Sequence, residues 1–157
     1  MAIRTDTRSE AFTAFFREAE PRLRRALTAA VGFEAGKEAA AEALAYGWEH
    51  WERVAGMENP VGYLYRVGRS KARNRRKPLP LLGPAAAAPE PWCEPGLEAA
   101  LEGLSDRQRV AVMMVHGFGY TPTETGVVLG VKAGTVSKHA ERGLQKIRAR
   151  LEGGRDD

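Results

Sequence analysis

The sequence is short of three things that would otherwise narrow its chemistry. Of its 157 residues only Cys93 is a cysteine. A lone thiol excludes an internal disulfide framework and any multi-cysteine metal site, and Cys93 has no basic neighbour to make it a reactive thiolate. Histidine is scarce as well. His50, His116 and His139 stand far apart, none with a partner at ligand spacing, and neither a His-Glu-x-x-His stretch nor a Gly-x-x-x-x-Gly-Lys-Ser/Thr phosphate loop occurs. Long apolar runs are missing too. The longest charge-free stretches, residues 78–89 and 110–123, fall short of the eighteen or more apolar residues of a membrane span. The opening MAIRTDTRSE carries charges with no apolar stretch behind them, so no secretory signal is expected and the expected compartment is the cytoplasm. Glu49 and Glu52 read as solvated carboxylates, and Gly117-Phe118-Gly119, with no strand before it, reads as a helix stop. Catalytic residues, cofactor, metal and membrane are therefore all expected to be absent.

What the sequence does have is charge in blocks. The overall balance is modest, 24 Lys and Arg against 20 Asp and Glu, or +4. Residues 66–77 hold seven basic side chains and no acid, and residues 132–150 hold six with one acid, Glu141. Residues 34–58 carry six acids against Lys37 and Arg53, and residues 90–106 carry five acids and no base. Two basic blocks divided by acidic ones point to two polyanion contacts with separate surfaces for protein partners.

Six of the nine prolines fall in PLPLLGPAAAAPEPWCEPG, residues 78–96. Proline gives no backbone donor and biases the preceding residue away from helix, so this stretch continues neither neighbour. It reads as a semi-stiff linker, with Leu79, Leu81, Leu82 and Trp92 as contact points. Upstream, Phe12, Phe15, Phe16, Ala19, Leu23, Ala26, Leu27 and Ala30 recur at helical spacing, with Pro21 expected to kink or split that helix. A second helix is expected over 35–54, ending at Gly56. A third starts at Asn59-Pro60 and buries Val61, Leu64, Tyr65, Gly68 and Ala72. Nothing shows sustained strand alternation. The fold expected is all-α: a helical domain over 1–77, the linker 78–96, and a second helical domain over 97–157 with a short flexible tail.

The second half carries the more telling pattern. After a short segment over 97–104, Ser105-Asp-Arg-Gln108 is a capping box opening a helix with Val110, Val112, Met113 and Val115 that stops at Gly117. A second box, Thr121-Pro-Thr-Glu124, opens a short helix ending at Gly130. A longer basic helix follows over about 133–151, with Val136, Ala140, Leu144, Ile147 and Leu151 facing inward. A short capped helix, a glycine turn and a longer basic helix make the layout of a helix-turn-helix. Gly126, Ala133 and Gly134 are small enough for the helices to cross closely. Thr135, Ser137, Lys138, Glu141 and Arg142 offer short polar and cationic groups to a major groove.

Here the sequence resembles a family. GYTPTETGVVLGVKAGTVSKHAERGLQKIRARL is similar to the C-terminal domain of extracytoplasmic-function (ECF) sigma factors of bacterial RNA polymerase, in Glu124, Leu129-Gly130, Gly134-Thr135-Val136 and the Arg/Leu-rich end. LEGLSDRQRVAVMMVHGFG resembles the helix before it, with its L-x-x-L-x-x-x-x-R pattern. NPVGYLYRVGRSKARNRRK resembles the "W-L-Y-x-I-A-R-N" helix and trailing arginines of the family's N-terminal domain. The likeness spans residues 8–77 and 97–151. It implies a protein that binds core polymerase and directs promoter-specific initiation. Glu38, Glu42 and Trp48 would hold the polymerase clamp. Arg66, Arg69, Arg73 and Arg76 would lie against the promoter element nearer the start site. Thr135, Ser137, Lys138 and Arg142 would read the farther one. Tyr63 and Tyr65 are candidates for stacking on an unpaired base, and the loop 56–59 for holding a flipped-out base.

The departures are specific. Where the family usually has Asp-x-x-Gln-Glu, this chain has Glu38-Ala39-Ala40-Ala41-Glu42: the acid is one methylene longer and the amide is replaced by the methyl of Ala41. Thr125 occupies an apolar position, Lys132 that of a capping serine, and Ser70 that of an asparagine. Three readings stand side by side. The first is a sigma factor with core polymerase, promoter DNA and an anti-sigma protein as its partners, monomeric when free. The second is a stand-alone helix-turn-helix regulator, and the third a degenerate sigma-like adaptor that binds polymerase or an anti-sigma partner without initiating.

Overall fold

A computed structural model describes residues 2–73 and 94–154 of the chain, with side chains from Asp6 onward. All but the last three residues of the 78–96 segment, with Trp92 and Cys93, lie outside the described residues, as does Arg76. Every regular element among the described residues is helical, and none of these helices is long and apolar enough to cross a membrane.

The first helix, α1 (Ala2–Val31), runs through Pro21 without a split, so of the kink or split expected there the split does not occur. Proline withdraws a single donor, and the burial of Ala19, Leu23, Ala26 and Leu27 on either side outweighs that local cost of about 3 kcal/mol. The segment expected as one helix over 35–54 is two: α2 (Phe33–Glu49) and α3 (Trp51–Ala55). The break is at His50, whose Nδ1 lies 3.0 Å from the Tyr46 carbonyl and whose ring stacks on Tyr46 with centroids 4.1 Å apart. The restart brings Trp51 and Val54 into the core. There Trp51 meets Phe12 and Phe15 with centroids 5.2 and 5.1 Å apart. Helix α4 (Pro60–Arg73) begins as its sequence predicts, the Gly62 N–H donating to Asn59 Oδ1 over 3.0 Å.

The C-terminal half contains α5 (Leu97–Glu102), α6 (Asp106–Val112), α7 (Pro122–Leu129) and α8 (Ala133–Gly153). Both capping boxes form, at Ser105/Gln108 and Thr121/Glu124. Helix α6 passes into a single π turn, Met113–Gly117, closed by the Phe118 N–H on the Met113 carbonyl at 2.8 Å. Met114, four residues after the buried Val110 and so on the same side of the helix, is fully buried, whereas Met113 is only partly buried.

The two halves pack on one another. A single apolar cluster joins Leu23, Leu27, Leu64 and Tyr65 of the first half to Val110, Met114 and Val128 of the second. Smaller clusters complete the C-terminal half: Ala100, Leu104, Val112 and Ile147 in one, Ala111, Val136 and Ala140 in the other.

Candidate nucleic-acid interface

The helix-turn-helix owes its geometry to two glycines. Gly130 ends α7 with φ 68°, in the left-handed region that glycine adopts at little cost. At Gly126 an added Cβ would sit 2.5 Å from the Val131 carbonyl oxygen, so only glycine permits the α7–turn approach. Gly134, expected to serve the same purpose, has open space around it and plays no part in the crossing. Thr125 is wholly buried and its hydroxyl has no hydrogen-bond partner among the described residues. Lys132 precedes α8 without any side-chain cap. Glu124 closes its box on the Thr121 N–H at 2.8 Å. That backbone hydrogen bond, aided by Arg22 at 3.9 Å, holds its carboxyl below the ordinary value despite some desolvation.

The exposed side of α8 divides into two stripes. Thr135, Lys138 and Arg142, at spacings of three and four, share one, and all three are exposed. Ser137 belongs to the next, where it lines a shallow depression with His116, Glu141 and Arg148. The proposed reading set therefore splits, three residues on one stripe and Ser137 beside it.

Helix α4 turns its basic side toward the same region. Arg66, Arg69 and Arg73 from α4 line a cleft of about 750 Å³ together with Arg107 from α6, and His139 and Arg142 from α8. Three arginines of the first basic block thus meet Arg142 of the second at one cleft, a relation that spacing along the chain could not reveal. Arg66 and Arg73 are exposed. Arg69 is different: its Nη2 donates to Asp106 Oδ2 over 2.8 Å, and it stands beside Tyr65. Tyr65 is buried, and burial pushes its phenol above the ordinary value. It is a core residue, so the expectation that it stacks on an unpaired base is corrected.

Asp106 also anchors a highly connected polar group, the Arg109 guanidinium. Arg109, the arginine of the L-x-x-L-x-x-x-x-R pattern, is 8% exposed. Its guanidinium donates to Ala29 O at 2.6 Å, Ala30 O at 2.7 Å, Leu104 O at 3.1 Å and Asp106 Oδ1 at 2.8 Å. The first two carbonyls belong to the last turn of α1, where backbone acceptors have no intrahelical donor and a cation meets the negative end of the helix dipole. Other side chains cross between the halves nearby. Asn59 Nδ2 donates to Val127 O over 2.7 Å, and Arg25 Nη1 donates to Tyr120 Oη over 2.7 Å. The loop 56–59, expected to hold a flipped base, is thereby tied at Asn59 to the end of α7.

Tyr63 sits in a cluster that sequence reasoning missed. Arg53 donates to the hydroxyls of both Tyr46 and Tyr63, whose oxygens are 3.2 Å apart. The Tyr46–Tyr63 hydrogen bond lowers the Tyr46 phenol and raises that of Tyr63. Three residues from three helices meet there, and only a tyrosine at the expected position was legible beforehand.

The residues expected to hold polymerase lie on the far side of α2. Glu38, Glu42 and Trp48 fall at spacings of four and six, on one side of the helix. Trp48 is 38% exposed, packs against Phe12 at 5.2 Å, and carries the Arg8 guanidinium 4.7 Å over its ring.

Comparison with known proteins bears on both halves. Residues 96–147 match the family described as sigma-70, region 4. The fold as a whole is similar to that in the co-crystal structure of the sigma factor RpoE in complex with the anti-sigma factor NepR from Bartonella quintana. The TM-score is 0.62 over 91% of this chain and 98% of that one, at 18% identity. A likeness at that identity is a likeness of fold.

Proposed function

We infer that this chain is a sigma factor of the extracytoplasmic-function type, which binds core RNA polymerase and directs promoter-specific initiation of transcription. The observation that carries the reading is the helix-turn-helix, α7 and the larger part of α8 lying within the stretch that matches sigma-70 region 4, on a fold whose N-terminal half supplies a second basic helix. Such a protein acts by binding rather than by chemistry. Its place is with polymerase in the cytoplasm, and an anti-sigma protein, like the one bound to the similar fold, is its third partner.

In this reading Thr135, Lys138 and Arg142, with Ser137 beside them, read bases in the major groove of the farther element. Arg66, Arg69, Arg73 and Arg76 hold phosphates of the nearer one. Phosphate contacts supply most of the affinity and make it fall with salt. Tyr63, with Arg53 beside it, offers an aromatic face to a melted strand. Glu38, Glu42 and Trp48 face the clamp of core polymerase.

In the arrangement described, the two halves are packed on one another. A cleft of 750 Å³ is the size of a small-ligand site, whereas recognition sites one helical turn apart on a duplex are already about 34 Å from one another. Engaging both elements at once therefore requires the halves to separate. Arg69 must leave Asp106 and Asn59 must leave Val127. Run-off transcription with purified core polymerase tests the assignment: new start sites with the chain present are expected. Binding to core without transcripts would favour the adaptor, and operator binding by a stable dimer without polymerase would favour the stand-alone regulator.

A further inference from the structure

We propose that the cleft between α4, α6 and α8 binds a small polyphosphate anion, which bridges the two halves of the chain. The site stands on its own lining; only its consequence for promoter DNA rests on the sigma-factor reading.

Five arginines line the cleft: Arg66, Arg69 and Arg73 from α4, Arg107 from α6 and Arg142 from α8, with His139 beside them. Asp106 is the one carboxylate of that lining, and both its oxygens are taken. Oδ1 accepts from Arg109 and Oδ2 from Arg69, each over 2.8 Å. The other four arginines make no ion pair among the described residues, and all four are exposed. A cleft walled by one sign of charge concentrates its field and draws in ions of the opposite sign. Four guanidiniums call for an anion of several charges, and a chain of phosphates supplies it. Each phosphate also offers the paired oxygens that a planar guanidinium fork engages with two parallel N–H donors. The volume of about 750 Å³ lies within the roughly 300–1,000 Å³ of small-molecule sites. It excludes a duplex, whose major groove alone is about 12 Å wide. Leu129 and Val131 give the cleft an apolar wall, a surface for a nucleoside where the phosphates carry one.

The donors come from both halves, so the anion binds the packed arrangement and not the parted one. It therefore opposes the separation that promoter engagement requires. Arg66, Arg73 and Arg142 cannot hold the anion and the promoter together, and the two ligands exclude one another.

The experiment is calorimetric titration of the full-length chain with inorganic tripolyphosphate and, separately, with ATP. Physiological salt screens exposed charges more than about 8 Å apart. Wild type is expected to bind tripolyphosphate, and a hundredfold excess over Kd to raise its melting temperature by about 5 °C. Arg66→Ala and Arg107→Ala, from the two sides of the cleft, should each bind about tenfold more weakly. Arg148→Ala removes the same charge from the neighbouring stripe of α8 and should bind as wild type does. All three positions are exposed, and circular-dichroism melts check that the variants fold. Tighter binding of ATP would support a nucleoside on the Leu129–Val131 wall, and equal binding would support the phosphate chain as the whole ligand. No binding by wild type, equal weakening by Arg148→Ala, or a loss confined to one of the two cleft variants would overturn the proposal. With core polymerase present, promoter-fragment binding should fall about tenfold at saturating tripolyphosphate, relative to inorganic phosphate at equal ionic strength. Unchanged promoter binding beside measured anion binding would overturn the exclusion and leave the sigma-factor reading standing. Absence of promoter binding without any anion would count against that reading alone.

Discussion

Arg109 gives the sharpest prediction. Replacing it with methionine keeps an unbranched apolar stem and removes the guanidinium. The carbonyls of Ala29, Ala30 and Leu104 then lose a donor each, while Asp106 keeps Arg69 as its partner. No unpaired charge is left behind, so the heavy cost of a stranded buried ion does not arise. What remains is the desolvation of three acceptors, each worth about 1–3 kcal/mol when left unmade. Ala29 and Ala30 lie at the end of α1, where a slight parting of the halves admits water, and the lower end of that range applies. The expected loss is about 3 kcal/mol, a large share of the roughly 5–15 kcal/mol that keeps a domain folded. With a urea dependence of about 2 kcal/mol/M, the midpoint should fall by about 1.5 M. Equilibrium urea titration followed by tryptophan fluorescence measures it. Arg109→Lys, a point charge unable to serve four acceptors at once, should recover about half of the loss. A decrease below about 1 kcal/mol for Arg109→Met would refute the reasoning, because it would mean that water already satisfies these carbonyls in the native protein.

Three further outcomes are expected. Thr125→Val, which exchanges a buried hydroxyl without a partner for a methyl of similar shape, should stabilise the chain by about 1 kcal/mol in thermal melts; destabilisation would show that the hydroxyl has a partner after all. Glu124 has a lowered pKa in the folded chain, owing first to the Thr121 N–H. Its contribution is present above the ordinary value of 4.5 and is lost as pH falls through the lower folded value. Glu124→Gln should therefore flatten the acid side of the stability–pH curve, and an unchanged acid slope would remove this carboxylate from the account. Lys138→Ala combined with Arg142→Ala should reduce promoter-directed transcription while leaving core-polymerase binding intact; loss of both activities together would contradict the division of labour between α8 and α2.

Much of the fold was legible because its signals are local. The capping boxes at Ser105 and Thr121 and the start of α4 at Asn59-Pro60 each depend on side chains within four residues of the backbone groups they satisfy. The buried face of α4 and the inward residues of α8 follow from periodicity alone. The misses are also physical. Pro21 remains inside α1 because packing on both sides of it outweighs one lost donor. His50 breaks α2 through a ring stack and a carbonyl contact that no propensity encodes. Met113, expected inward, is only partly buried, while Met114 lies on the buried side with Val110, four residues before it. Within the candidate site, the basic residues of α4 and α8 were visible as charge blocks, and the burial of Tyr65 was legible from the periodicity of α4, which already set it against the stacking role.

The sequence by itself determined the helices, the helix-turn-helix and the two basic blocks. Each of these is written in neighbouring residues, at the range over which capping, periodicity and turn chemistry act. Only the tertiary structure decided that Arg142 meets the arginines of α4 at one cleft and that Asp106 holds Arg69 and Arg109 together. Those relations join residues tens of positions apart, and they depend on which buried surfaces and helix ends find one another when the chain closes on itself.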